Sequence, residues 1–411
     1  MQILFLSRWY PYPANNGSKL RIWNLLRALG RRHTVTLVSF VDPAEGTPDL
    51  EGLRGIVSEV HTVPWREFDP GSLRALVGFF ALAPRWMVDT FSPQMAETIR
   101  RVLHSQKYDL VIASQVVMGA YAGHFENVPA ILEEVELGVY FQKQERAVSA
   151  FRKIRHSLTL FKLRLYLRNL LKRFSGYTVV SEREKGLLEG MVSGSERVRI
   201  IPNCVELEDY RDIRMPKREN SLIYAGSFRY DVNYEAMQWF VGEVFPRILA
   251  EIPTAQLTIT GDPAGKRIEP RTHVMQVGLV PDVRPVVASS MISLAPLQTG
   301  GGTRLKILEA MALRSPVVST SKGAEGLEVR AGEHLLVADS PQDFAAAVIR
   351  LLKDETLRES ITEAGYRLVE EKYSWQKALI FFLKWIETIP TGSLSGISQL
   401  ETRHVDDDEK N

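Results

Sequence analysis

PLQTGGGTRLKILEAMALRSPVVS, residues 296–319, is the most informative run of this chain. Gly300, Gly301 and Gly302 stand between an expected strand at 291–295 and an apolar run, so backbone there can approach a ligand with no Cβ in the way. Thr303 reads as the helix cap. Seven of the nine residues from Leu305 to Leu313 are apolar, which describes a helix buried on nearly every side; only Lys306 and Glu309 interrupt it. A carboxylate buried that deeply needs a partner. Three positions apart, Lys306 and Glu309 share one face close to a helix start, where free N–H groups and the dipole favour anions. Phosphate at the first turn and hydroxyls at Glu309 describe a nucleotide. Taken alone, the same residues also fit an ordinary glycine turn followed by a surface ion pair worth on the order of a few tenths of a kcal/mol. The return to a strand at 316–320 completes a βαβ unit, and such units bind ligands at the carboxyl ends of their strands.

Continued by GAEGLE at 323–328, this run resembles the donor-sugar signature of the glycosyltransferases of family four. Further matches are the glycine loop at 10–21, VSERE at 180–184, IPNCVE at 201–206, AGSFRYDVNYEAMQWF at 225–240 and GLVPDV at 278–283. The resemblance reaches to about residue 387 and is strongest over 221–339. It implies an α/β chain with the GT-B fold: two Rossmann-like domains whose parallel sheets face each other across a cleft, and a C-terminal helix that crosses back to the first domain. It also implies a retaining transfer from a nucleotide diphosphate sugar, which is a co-substrate, with no metal and no separate cofactor. The donor contacts carried over are Gly17, Gly226, Gly301, Gly302, Thr303 and Glu309. Arg229 and Lys306 are the cations expected to act on the leaving diphosphate, where charge develops in the transition state. The family commonly has two glutamates separated by seven residues, the second matching Glu309. The first falls on Gly301, so its work is expected to pass to the N–H groups of the glycine turn with Lys306. At the amino-terminal loop, Asn16 precedes Gly17 where the family usually has paired glycines.

Length and composition agree with such a protein. The chain has 411 residues, 45% hydrophobic and 24% charged, which suits two or three domains of a globular protein. A net charge of +2 gives no argument for nucleic acid. The single cysteine, Cys204, forms no intrachain disulfide and anchors no metal site by itself, which points to a reducing, cytoplasmic setting. The chain opens in an apolar strand at 2–7 with no basic n-region, so no signal peptide is expected, and no apolar run reaches membrane-spanning length.

In chain order, strands are expected at 2–7, 33–41, 59–64, 109–114, 128–134, 176–181 and 198–202, with helices at 18–31, 92–106, 233–249, 341–353 and 355–372. The strand, loop, helix, strand order at the start lacks a G-x-G-x-x-G fingerprint and an acid ending the second strand, which argues against a dinucleotide dehydrogenase. Glu133, Glu134 and Glu136 cluster past the fifth strand, where related enzymes place an acceptor-contacting residue; Glu136 and Arg21 are the acceptor candidates. Domains are expected at 1–205 (acceptor side), 206–220 (linker), 221–373 (donor nucleotide) and 374–389 (crossover helix), with a disordered tail at 390–411. Asp406, Asp407 and Asp408 in that tail satisfy a D-x-D pattern but read as a solvated acid run.

Residues 152–173 hold eight Lys or Arg and no acid, interleaved with Leu and Phe. This composition reads as a basic amphipathic helix for an anionic membrane surface, or as a core helix with a basic outer face. An apolar segment at 75–88 is a candidate second contact. The expected function is sugar transfer to a glycan or lipid-linked acceptor, in the cytoplasm or on the inner face of the plasma membrane. The alternatives are a nucleotide-sugar epimerase of the same fold and a non-catalytic nucleotide-sugar-binding protein. Lys306, Glu309 and Arg229 occurring together favour the enzyme, and the cleft sequence lacks the richer acid and histidine set an epimerase requires.

Overall fold

The structure, a computed structural model, describes residues 1–138, 150–191, 197–300 and 304–390. It divides into two compact units, one of Met1–Pro202 together with the residues from Leu379 on, the other of Asn203–Ala378. Gly301, Gly302, Thr303 and the tail from 391, with its three aspartates, lie outside the described residues.

The first unit is built on seven parallel strands: β1 (Gln2–Ser7), β2 (Thr34–Val41), β3 (Glu59–Pro64), β4 (Leu110–Ser114), β5 (Ala130–Glu133), β6 (Gly176–Val179) and β7 (Val198–Ile200). They pair in the order β3-β2-β1-β4-β5-β6-β7. β1 is an inner strand, with Ile3 opposite both Val35 and Leu110, and it is apolar on both faces because helices cover both. Helix α1 (Gly17–Gly30) starts where the Asn16 side chain accepts from the Lys19 amide at 3.0 Å, and it buries Ile22, Leu25, Leu26 and Leu29 on the sheet. A short hairpin of α2 (Leu73–Val77) and α3 (Arg85–Thr90) precedes β4, and the long α4 (Ala150–Leu171) follows β5.

The second unit repeats the plan with six parallel strands: β8 (Ser221–Ala225), β9 (Gln256–Thr260), β10 (Val274–Gly278), β11 (Ile292–Ala295), β12 (Val317–Ser319) and β13 (Leu336–Val337), ordered β10-β9-β8-β11-β12-β13. Its helices include α5 (Asp231–Trp239) and α6 (Leu305–Ala312). The strand order reverses at β8 and β11, so the segments leaving those two strands flank the crevice at which this topology binds ligands.

Two expectations are revised. The helix read over 233–249 is interrupted: α5 stops at Trp239, a widened turn runs over Phe240–Val244, and a new helix starts at Phe245. Pro246 has no N–H and its ring crowds the carbonyl four residues back, which forces the wider turn. The stretch 206–220 is not a free linker but part of the second unit, with Leu207, Tyr210 and Ile213 packed on an apolar cluster that includes Ile307, Leu308 and Met311.

Helix α7 (Trp375–Ile386) returns the chain to the first unit. Phe382, Leu383, Trp385 and Ile386 join Ile3, Phe5, Ile22, Leu25 and Leu110 in one core cluster. Each large apolar side chain buried this way contributes about 1.5–3 kcal/mol. Trp385 lies so close to Gly176 that a Cβ there would meet its ring at 2.6 Å, so the strand needs glycine at that point.

Candidate active site

The second unit gathers its polar residues at the β8/β11 switch point. α6 opens at Leu305 with Arg304 in the cap position. Arg304 itself is buried, and its guanidinium donates to the carbonyls of Gly300 and Lys322, each at 2.9 Å, which ties Gly300 to the segment after β12. Gly300 sits at φ +98°, with Val232 at 2.9 Å from where a Cβ would stand, so only glycine fits there.

Lys306 and Glu309 project from α6 as expected, into a pocket also lined by Tyr210, Ala225, Arg284 and Leu294. The Lys306 ammonium donates to Tyr224 Oη at 2.9 Å and Asn233 Oδ1 at 3.0 Å, and lies 4.3 Å from the centre of the Tyr224 ring. Both partners are neutral. Burial therefore dominates and, with the nearby Arg304 charge, brings its pKa down to about 7 against a weaker opposing pull from Glu309. Glu309 accepts from the Tyr210 hydroxyl at 3.4 Å, a long contact. Burial raises its pKa, while Tyr210 and Lys306 oppose the rise. The site thus holds a cation and a carboxylate that are both under-compensated, which is a setting suited to a charged, hydroxyl-bearing ligand.

Gly226 stands directly after β8, and a Cβ on it would come within 2.9 Å of Lys306 Nζ and 3.0 Å of Tyr224. Its lack of a side chain lets the ammonium reach the strand end. Asn233 carries the network onward, donating to the Ser227 carbonyl at 2.7 Å, and Ser227 Oγ accepts from the Arg229 amide at 3.2 Å. The Arg229 side chain is exposed and hydrogen-bonded to Asp262, which raises its pKa. An exposed pair of this kind is held weakly enough to exchange for a ligand phosphate.

Tyr210, Asn233 and Arg304 were not singled out from sequence. Tyr210 comes from a charged stretch without periodicity, Asn233 is an ordinary polar position on a helix, and Arg304 is one more cation beside glycines. Asn233 and Arg304 lie inside quoted segments of the resemblance, RYDVN and GGGTRLK, whereas Tyr210 lies in none of them.

In the first unit the acceptor candidates separate. Arg21 is wholly buried: its Nε donates to Glu133 Oε1 at 2.6 Å, its Nη2 lies 2.5 Å from the same oxygen, and its Nη1 donates to the Ile201 carbonyl at 2.8 Å. It braces β5 and β7 against α1 rather than facing a substrate. Glu136 is half-buried, and Gly17 begins α1. More suggestive are Gln115 and Glu134, which leave β4 and β5 with φ of +71° and +56° and join by a 3.0 Å bond from Gln115 Nε2 to Glu134 Oε2. Left-handed backbone at two non-glycine residues is costly and concentrates at functional sites. Burial pushes the Glu134 carboxyl well above its ordinary range, although Arg21 pulls the other way. Arg8, just past β1, lies between the indoles of Trp9 and Trp65, at 4.1 and 3.5 Å from their centres.

Comparison with known proteins places this geometry. The family model described as Glycosyltransferase Family 4 matches residues 15–209, and that described as Glycosyl transferases group 1 matches 219–354. An uncharacterized 44.6 kDa protein in the cps region of Klebsiella pneumoniae is 21% identical over 93% of this chain and 99% of its own length. A phosphatidyl-myo-inositol mannosyltransferase of Mycobacterium leprae is 27% identical over 57% of this chain and 65% of its own. Among solved structures, sucrose-phosphate synthase from Thermosynechococcus elongatus matches with a TM-score of 0.69 at 18% identity, covering 94% of this chain and 98% of that one. HepE of Anabaena in complex with UDP and glucose matches with a TM-score of 0.64 at 14% identity, covering 94% and 100%. Both units, their strand orders and both family matches agree, and the chain belongs to the family-four type of glycosyltransferase with the GT-B fold.

Proposed function

We propose that this glycosyltransferase moves a sugar, with retention, from a nucleoside diphosphate sugar to a glycan or lipid-linked acceptor. The observation that carries the reading is the half-buried Lys306 ammonium, held by Tyr224 and Asn233 beside Gly226, with Glu309 one turn further along the same helix. In the reaction the acceptor hydroxyl oxygen forms a bond to the anomeric carbon as the bond from that carbon to the diphosphate breaks. The acceptor proton passes to an oxygen of the leaving diphosphate. Lys306 and Arg229 stabilise the charge gathering on that diphosphate, and no step of this route calls for a metal ion. Glu309 accepts from the ribose hydroxyls in place of its long contact with Tyr210. The bound UDP and UDP-glucose of the Anabaena relative support a nucleotide sugar as the donor class.

Glu309→Ala is expected to weaken nucleoside diphosphate binding by about 1–3 kcal/mol, because the ligand hydroxyls lose their acceptor. Calorimetry on a folded variant measures this, and an unchanged Kd would remove Glu309 from the site. Transfer of label to an acceptor, with no interconversion of the donor sugar when acceptor is withheld, separates this function from an epimerase.

Protons should also be taken up on binding. With a pKa of about 7, Lys306 is largely neutral at pH 8 in the free protein, and a diphosphate beside it restores the charge. Nucleoside diphosphate affinity is therefore expected to fall as pH rises above 7, by up to about tenfold per unit. Below pH 6 the lysine is already charged and the uptake vanishes. Titration calorimetry in buffers of different ionisation enthalpy reads the uptake directly, and Lys306→Met should abolish it.

A further inference from the structure

The first unit displays a large apolar surface that its own core does not use. On α4, Leu160, Leu163, Leu167, Leu170 and Leu171 form the buried stripe, while Ile154 and Phe161 on other faces are 69% and 59% exposed. The α2–α3 hairpin likewise buries Ala75 but leaves Leu73 at 81%, Phe80 at 94% and Leu82 at 60% exposure. Lys162 Nζ donates to the Phe79 carbonyl, so the two segments adjoin and their exposed side chains belong to one neighbourhood. They meet without closing over one another. Isolated exposed apolar residues are ordinary, but a contiguous set of this size marks an interaction surface.

The hairpin is fastened in this posture by polar contacts. Asp89 is fully buried and accepts from the Asp69 amide at 2.9 Å, from Ser72 Oγ, and from Arg66 at 3.4 Å. Ser72 in turn caps α2 through the Ala75 amide, and Arg85 donates to the carbonyls of Ala75 and Pro70 while its guanidinium lies 3.8 Å from the centre of the Phe79 ring. Apolar side chains are therefore presented on a built scaffold.

Charge decides what covers them. Residues 152–173 carry eight cations and residues 73–88 two, Arg74 and Arg85, with no acid in either segment. A second copy docking through this face about a two-fold axis would set these cations against their own images, which opposes self-association. At the other end of α4, Arg168 and Lys172 join Arg197 around a cavity of about 300 Å³, a size and charge suited to a phosphate headgroup. Among the described residues no helix is long and apolar enough to cross a membrane, so contact would be made from one side. We propose that this surface docks on an anionic phospholipid leaflet, with Phe80, Leu82, Leu158 and Phe161 entering the headgroup boundary and the α4 cations meeting lipid phosphates. The proposal is independent of how the donor is bound.

The test is sedimentation of the full chain with vesicles of phosphatidylcholine alone and of phosphatidylcholine mixed with phosphatidylglycerol. Wild type should pellet with the mixed vesicles at low salt and be released as salt is raised, because screening shortens the reach of the cations. Changing Arg164, Arg168 and Lys172 to Glu should weaken binding at least about a hundredfold, as each cation near the leaflet is worth about fivefold. Phe80→Ser with Phe161→Ser should weaken it without lowering Tm, since both side chains are exposed in the folded protein. Nucleoside diphosphate affinity should be unchanged in every variant. Wild type staying in the supernatant with mixed vesicles at low salt overturns the proposal, and so does equal binding to phosphatidylcholine alone. A lipid-independent dimer that Phe80→Ser disperses would assign the surface to a second copy instead and overturn it too.

Discussion

Lys306→Met is expected to lower kcat by about a hundred- to a thousandfold while raising the donor KM far less. The ammonium is held by Tyr224 Oη and Asn233 Oδ1 before any ligand arrives, so little reorganisation is needed as the diphosphate leaves. A donor fixed in advance on a developing charge acts mainly in the transition state. Methionine keeps the stem that packs beside Tyr224 and removes only the charge, so the expected background is a folded variant whose nucleoside diphosphate affinity is reduced to the level the wild type shows at high pH. Loss confined to KM would show that Lys306 holds the ground state only and would take it out of the catalytic role.

The second large effect is on stability. Arg21→Met leaves the Glu133 carboxylate buried with, among the described residues, Ser114 and Thr178 as its hydroxyl partners, at 2.9 and 3.4 Å. Removing one member of a buried ion pair costs about 3–5 kcal/mol. For a unit of this size the thermal midpoint should drop by about 10 °C or more. Combining Arg21→Met with Glu133→Gln should recover much of the loss, because the buried charge is removed together with its partner. A midpoint shift of under about 2 °C in the single variant would mean that water or rearrangement satisfies Glu133.

The contrast between these two residues shows what could be read from the chain. Lys306 and Glu309 were legible because they are the polar exceptions in an otherwise apolar helix, and exceptions of that kind need a reason. Arg21 looked like a weaker version of the same signal, one turn into a helix after a glycine loop. Its partner lies 112 positions away on β5, a pairing no local pattern carries. The helices at Pro341–Lys353 and Glu355–Lys372 were legible end to end because Ser340 and Asp354 cap them with their own side chains. The segment through Pro246 was misread as one helix because its apolar period continues across the widened turn. Tyr210 was hidden by its surroundings: a charged, proline-containing stretch reads as a linker until the packing of Leu207 and Ile213 is seen.

The return of α7 to the first unit also sets an order of assembly during synthesis. The second unit is continuous in sequence, from Asn203 to Ala378, and every strand and helix it needs has left the ribosome before α7 is complete. The first unit, although made earlier, lacks Phe382, Leu383, Trp385 and Ile386 from its core until those residues emerge. For the whole time that the second unit is being translated, the surface around Ile3, Phe5, Ile22 and Gly176 remains an open groove awaiting its own distant segment. The half of the protein that begins first is therefore the half that finishes last, and a released chain ending at residue 378 would expose that groove to chaperones although its second unit was complete in sequence.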